Sequence, residues 1–150
     1  MTFFGVLSAL PPFSFPHTPA HIHPILVNFT ASLVPVSLFC DVVGRASRKQ
    51  SLTDAAWWTL LLAACITPFT GLAGLMWKKS VAGMVPPEVL RTHQWLGITL
   101  AAALVLLAIW RWRIHTRNSA PSAGYLVLAL IVVAALVYQG TLGGQMLFGP

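Results

Sequence analysis

Five histidines stand out in a chain of 150 residues that holds only three acidic side chains. Imidazole binds metals, carries protons and hydrogen-bonds from either ring nitrogen, so its placement is the first chemical question. His17, His21 and His23 lie in a proline-rich opening stretch. His93 sits in Arg91-Thr92-His93-Gln94-Trp95, and His115 follows a second basic run. His23 and His93 suit the two axial positions of a b-type haem, because neutral imidazole is a standard iron ligand. Asn28, Trp95 and Gln145 would then be pocket groups around the cofactor. A second ligand set is His17, His21 and His23, close enough in sequence to hold zinc or copper. Either histidine could equally be an interfacial hydrogen-bonding group with no metal. No CxxCH occurs, so covalent c-type attachment is excluded. There is no Ser/His/Asp set, no nucleotide-cradling glycine loop, no HExxH and no carboxylate dyad, so the sequence displays no catalytic constellation.

The elements that must position these groups are four long apolar stretches, at 25–44, 55–77, 92–112 and 123–148. A helix needs about 20 apolar residues to cross a bilayer, and each stretch meets that length. The chain is 57% hydrophobic and 8% charged, against about 25% charged in soluble domains. An all-α membrane protein follows, with four transmembrane helices in an up-down bundle. Residues 1–22 form a proline-rich outer, interfacial arm, and 23–150 form the membrane domain. Spans one and three run in the same direction and occupy opposite corners of such a bundle. Helices pack about 8–10 Å apart, so the diagonal is roughly 11–14 Å, a spacing that admits a macrocycle held by one histidine from each side.

Basic residues mark the topology. Arg45, Arg48 and Lys49 follow span one, and Arg111, Arg113 and Arg117 follow span three. Cations beside spans are retained in the cytoplasm, so these links face inward and both termini face the periplasm. Lys78, Lys79 and Arg91 flank the opposite link and moderate that bias. The expected location is the bacterial inner membrane. The net charge of +6 belongs to this pattern and not to nucleic-acid binding. Residues 1–10 are apolar but lack a basic start, so no cleavable signal peptide is expected. Trp57, Trp58, Trp110, Trp112 and Tyr125 fall near the inner interface, and Trp77, Trp95 and Phe148 near the outer one. Pro24 opens span one, and Pro35 and Pro68 fall inside spans.

Polar groups within the spans complete the inventory. Asp41 is the only acid inside a span and calls for a cationic partner from Arg45, Arg111 or Arg113. Asn28, Thr30, Ser32 and Ser37 make a seam on span one, and Gln139, Thr141 and Gln145 do so on span four. Such groups bridge helices, or hydrogen-bond a quinone or a haem propionate. Small residues at 67, 70, 71 and 74, at 97 and 101, and at 140, 143 and 144 mark faces where backbones approach closely. Cys40 and Cys65 lie on different spans at different depths, which argues against a disulfide.

His23-Pro24-Ile25-Leu26-Val27-Asn28-Phe29, Asp41, the Pro68/Gly71/Gly74 face, His93, Arg111 and Gly143-Gly144 occur in an order that resembles DUF2231, a bacterial family of four-helix membrane proteins without an assigned function. The likeness runs from His23 nearly to the end. Its opening motif commonly reads HPxxVHFP. This chain keeps the first histidine as His23 but has Asn28 in place of the second and Thr30 in place of the proline. Any ligand role of that second histidine is therefore lost here, leaving His23 and His93. The resemblance also implies a redox setting, since related domains occur joined to Rieske or c-type cytochrome modules. The leading expectation is a haem-b-binding subunit that works with membrane or periplasmic redox proteins. The rival is a cofactor-free accessory subunit packed against a larger complex. A small transporter is a third reading, disfavoured by the single intramembrane acid.

Overall fold

The computed structural model describes residues 18–148. Four helices fill this length: α1 (Pro19–Ser47), α2 (Gln50–Val81), α3 (Pro87–Thr116) and α4 (Ala123–Phe148). All four are long and apolar enough to cross a membrane. Each packs on its neighbour in sequence, and α1 closes the ring against α4. Among the described residues, the α1–α3 and α2–α4 backbones stay apart, so contact across a diagonal is made by side chains. The bundle is thus an up-down ring with two open diagonals, as the short links require.

The first three helices overrun the apolar stretches that announced them, whereas α4 matches its stretch at 123–148. Backbone hydrogen bonding needs no apolar side chain, so helices continue through the headgroup layer until a turn stops them. Pro19 supplies the fixed φ that opens α1, so residues 19–22 belong to the helix and not to the arm. Residues 1–17 lie outside the described part. Pro24 sits inside α1 and does not begin it. Arg48 takes a left-handed φ of 56° and ends α1, its N–H bonded to the Gly44 carbonyl. Gly83, at φ 92°, makes the turn between α2 and α3, a conformation open to glycine without strain. The early start of α2 brings Asp54 into a helix as well, so Asp41 is not the sole acid in the helical part.

Outward faces carry Phe39, Phe69, Leu106, Leu130 and Ile131, each more than half exposed. Lipid, not water, is the solvent that such a surface fits. The inward faces build a core from Val34, Leu60, Ala63, Leu104, Leu107, Ala129 and Val132, drawn from all four helices. That core fills the middle of the bundle.

Two different ends flank it. At one, Asp41 and Arg111 are 0% and 1% exposed and form a two-pronged ion pair. Arg111 Nη2 donates to Asp41 Oδ1 at 2.9 Å and Arg111 Nε to Oδ2 at 3.1 Å. The same Nη2 donates to the Thr53 carbonyl at 2.7 Å. One guanidinium therefore joins α1, α2 and α3 across the diagonal. Of the three candidate partners for Asp41, Arg111 is the one engaged. Arg45 donates instead to the Pro121 carbonyl, tying α1 to the link before α4. Tyr125, expected at the interface, is 1% exposed and stands beside Asp41. Its phenol thus closes the ion-pair chamber. Trp57 is also buried, stacked on His115 at 5.4 Å. Closer to the middle, Ser37 Oγ donates to the Ala56 carbonyl at 2.7 Å, and the Thr30 and Thr67 hydroxyls meet at 3.2 Å. Both cysteines are free.

Candidate functional site

The other end is hollow. A cavity of about 400 Å³ runs between the helices and is lined mainly by apolar surface. Its walls include His23, Asn28, Gly74, Trp77, His93 and Gln139. The histidines come from the α1–α3 diagonal. His23 lies one helical turn or more inside α1, and His93 lies in the second turn of α3, so parallel helices bring them to one level. Their ring centres are 6.4 Å apart, with planes inclined at 76°.

His23 is held on three sides. Its Nδ1 lies 2.9 Å from the Thr70 carbonyl. A carbonyl only accepts, so Nδ1 carries the proton and Nε2 keeps a free lone pair. Trp77 packs against the ring at 5.9 Å. Gly74 supplies the third wall: a Cβ there would fall 2.8 Å from the imidazole Cε1. Only a residue without a side chain lets this ring sit where it does.

His93 is held differently. Its backbone carbonyl accepts a hydrogen bond from Gln139 Nε2 at 2.9 Å, which ties α4 to the start of α3. Gly97 makes room for that amide, since a Cβ would come within 3.0 Å of it. Gly143 faces the His93 ring at an ordinary contact distance of 3.5 Å. Among the described residues, two buried side-chain polar atoms have no protein partner, His93 Nδ1 and Gln139 Oε1. Both belong to cavity-wall residues. Unpaired buried polar atoms are rare and call for a physical explanation.

The remaining glycines line open space. A Cβ on Gly71, Gly140 or Gly144 would meet nothing within 4 Å. The small faces expected to let helix backbones touch therefore hollow out this end of the bundle instead. Gly71 and Gly74 lie on α2, and Gly140, Gly143 and Gly144 on α4. The imidazoles occupy one diagonal and most of the glycines the other.

The other sequence-derived candidates divide. Asn28 is on the cavity wall, with its amide unpaired among the described residues. Trp95 is 60% exposed on the outer surface of α3 and does not line the cavity. Two positions after His93 on a helix point away from it, which is why the pair separates. Gln145 is likewise exposed and off the wall. His17 and the side chain of His21 lie outside the described residues. Among the described residues no group of three or more His, Cys, Asp or Glu side chains converges on a metal position. Thr70, Gly74, Trp77 and Lys78 all serve the site, yet none was placed in it from sequence, while Gln139 was given as a helix bridge or a partner for a quinone or propionate. The i, i+3, i+4 and i+7 series at 67, 70, 71 and 74 was the available signal.

No curated protein and no solved structure matches this chain. A family match does cover residues 19–149, and its description is a predicted membrane protein. With four bilayer-length helices in that segment, the chain belongs to the DUF2231 family of membrane proteins.

Proposed function

We propose that this multi-pass membrane protein binds one b-type haem between His23 and His93 and passes single electrons. The observation that carries the reading is the separation of the two rings. An imidazole nitrogen binds a first-row metal at about 2.0 Å, so two rings that would hold one ion must stand close to each other across it. The pair here stands at 6.4 Å.

Three further features support it. The His23 proton is fixed on Nδ1 by a backbone carbonyl, the usual orienting bond of a metal-ligating histidine. On the other diagonal, Gly71 of α2 and Gly144 of α4 leave open space that would take the edges of a macrocycle. Lys78 lines the mouth and offers a cation to carboxylates there. Haem would supply a one-electron couple, and two histidine ligands leave iron no open position, which suits electron transfer over substrate chemistry. Trp77 and the apolar wall exclude water, and Gln139 fixes the backbone that carries His93.

The test is haem stoichiometry by pyridine haemochrome on protein purified from haem-replete cells. About one haem per chain is expected, falling at least tenfold in His23→Ala and in His93→Ala. Stoichiometry below one-tenth in the parent protein refutes the reading. The proposed orientation puts the histidine end in the periplasm. A cysteine at Ser80 should then label from outside, and one at Ser119 only after the membrane is opened.

A second reading has one observation in its favour. Tyr138 is 55% exposed, and Thr141 and Gln145 are exposed one and two turns on. A polar stripe facing lipid invites a covering helix, as an accessory subunit of a larger membrane complex would supply. Purification as a lone monomer with full stability counts against it.

A further inference from the structure

The cavity has a side door. Asn28 and Ala31 on α1, and Gly140 on α4, all line the cavity and are all classed as exposed. Gly140 and Gly144 have no neighbour within 4 Å at the Cβ position. The α1–α4 wall is therefore open beside the histidine end, although Arg45 ties the same helices together at the far end. Asn28 lies five residues past His23, or about 7.5 Å along the helix. The opening thus faces the apolar layer of the bilayer, below the headgroups.

Two neutral amides border this opening and the space behind it. Asn28 carries no protein hydrogen bond among the described residues. Gln139 uses its Nε2 on the His93 carbonyl, and its buried Oε1 is unpaired. An unpaired amide facing hydrocarbon is costly. A donor and an acceptor, both uncharged, therefore await a ligand at this depth. The ligand must be soluble in lipid, flat enough to pass between Ala31 and Gly140, and polar at opposite positions. A phospholipid headgroup fails on charge and on depth. An acyl chain fails on polarity.

We infer that the α1–α4 opening admits the ring of a lipophilic para-quinol, held between the Asn28 amide and Gln139 Oε1. One quinol hydroxyl oxygen accepts from Asn28 Nδ2 and the other hydroxyl donates to Gln139 Oε1, whereas the oxidised quinone keeps the Asn28 bond alone because its second carbonyl and Gln139 Oε1 are both acceptors. The isoprenoid tail stays in the lipid outside the opening. This inference shares a cavity with the haem site but needs no haem. The flat ring enters below the imidazole pair, toward Thr30 and Thr67.

The test uses the full-length protein in phospholipid nanodiscs and decylubiquinone or its quinol as the probe. Quinones quench indole fluorescence, and Trp77 lines the cavity. Saturable quenching is expected, and Asn28→Leu should weaken it about tenfold, or about 1.4 kcal/mol. Asn28→Gln should restore part of the affinity. Gly140→Leu should block the opening and abolish saturation. Haem content read on the same samples reports the imidazole pair separately, so loss of haem and loss of quinone saturation are scored as different failures. Quenching that rises only in proportion to quinone dissolved in the lipid overturns the inference. So does saturable binding unaffected by Asn28→Leu, or a phospholipid retained at the opening that quinone does not displace.

Discussion

Removing one half of the buried ion pair should destabilise the bundle more than almost any other single change. In Asp41→Ala, Arg111 keeps only its bond to the Thr53 carbonyl, while a full charge stays at 1% exposure. Uncompensated buried charges of this kind cost about 3–5 kcal/mol. Arg111→Met leaves the Asp41 carboxylate at 0% exposure without its cation, only the Tyr125 phenol beside it, with a loss of the same order. The double variant Asp41→Leu/Arg111→Met removes both charges and both desolvation penalties. It still orphans the Thr53 carbonyl, a loss of about 1–3 kcal/mol. The coupling between the two sites should therefore be at least about 3 kcal/mol, from two single losses of about 3 each and a double loss of no more than about 3. The assay is unfolding by dodecyl sulfate in mixed micelles, followed by far-ultraviolet circular dichroism. Single losses under about 1 kcal/mol, or additive behaviour, would refute the reasoning, because the pair would then be solvated or already broken.

Two other perturbations follow from contacts at the opposite half of the bundle. Gly74→Ala drives a Cβ to 2.8 Å from the His23 ring, whereas Gly71→Ala meets nothing within 4 Å. The first should cost about 1–3 kcal/mol and displace His23; the second should leave unfolding within about 0.5 kcal/mol of the parent. Equal effects of the two alanines in the same micelle assay would contradict the placement of His23. Thr30→Val removes one side of the 3.2 Å hydroxyl contact with Thr67 at nearly constant shape. It should destabilise by about 0.6–1.7 kcal/mol, and a stabilised variant would show that the contact is not made.

The spans were legible because hydrocarbon thickness sets a minimum length that four stretches meet independently. The pairing of His23 with His93 across a diagonal was legible for a related reason, since short links fix which helices run parallel. Helix ends were not, because the headgroup layer tolerates Lys, Arg and Trp on a continuing helix. The partner of Asp41 was open among three arginines. Only the depth at which α3 crosses α1 selects Arg111. Glycine patterns misled in a specific way. GxxxG spacing reports that side chains are missing from a face, and that absence serves a close backbone contact or a hollow equally well. At 71, 140 and 144 it serves a hollow. Trp95 was grouped with His93 by sequence adjacency, which a helix turns into opposite faces. Gln139 stood out on span four, but its bond to the His93 carbonyl became visible only when α4 and α3 were packed together.

The most direct measurement of the central claim is low-temperature electron paramagnetic resonance of the oxidised, purified protein. A low-spin ferric signal of bis-imidazole type is predicted, converting to a high-spin signal in His23→Ala and in His93→Ala and recovering when free imidazole is added. A low-spin signal that survives both substitutions, or no haem signal in the parent protein, would contradict the account.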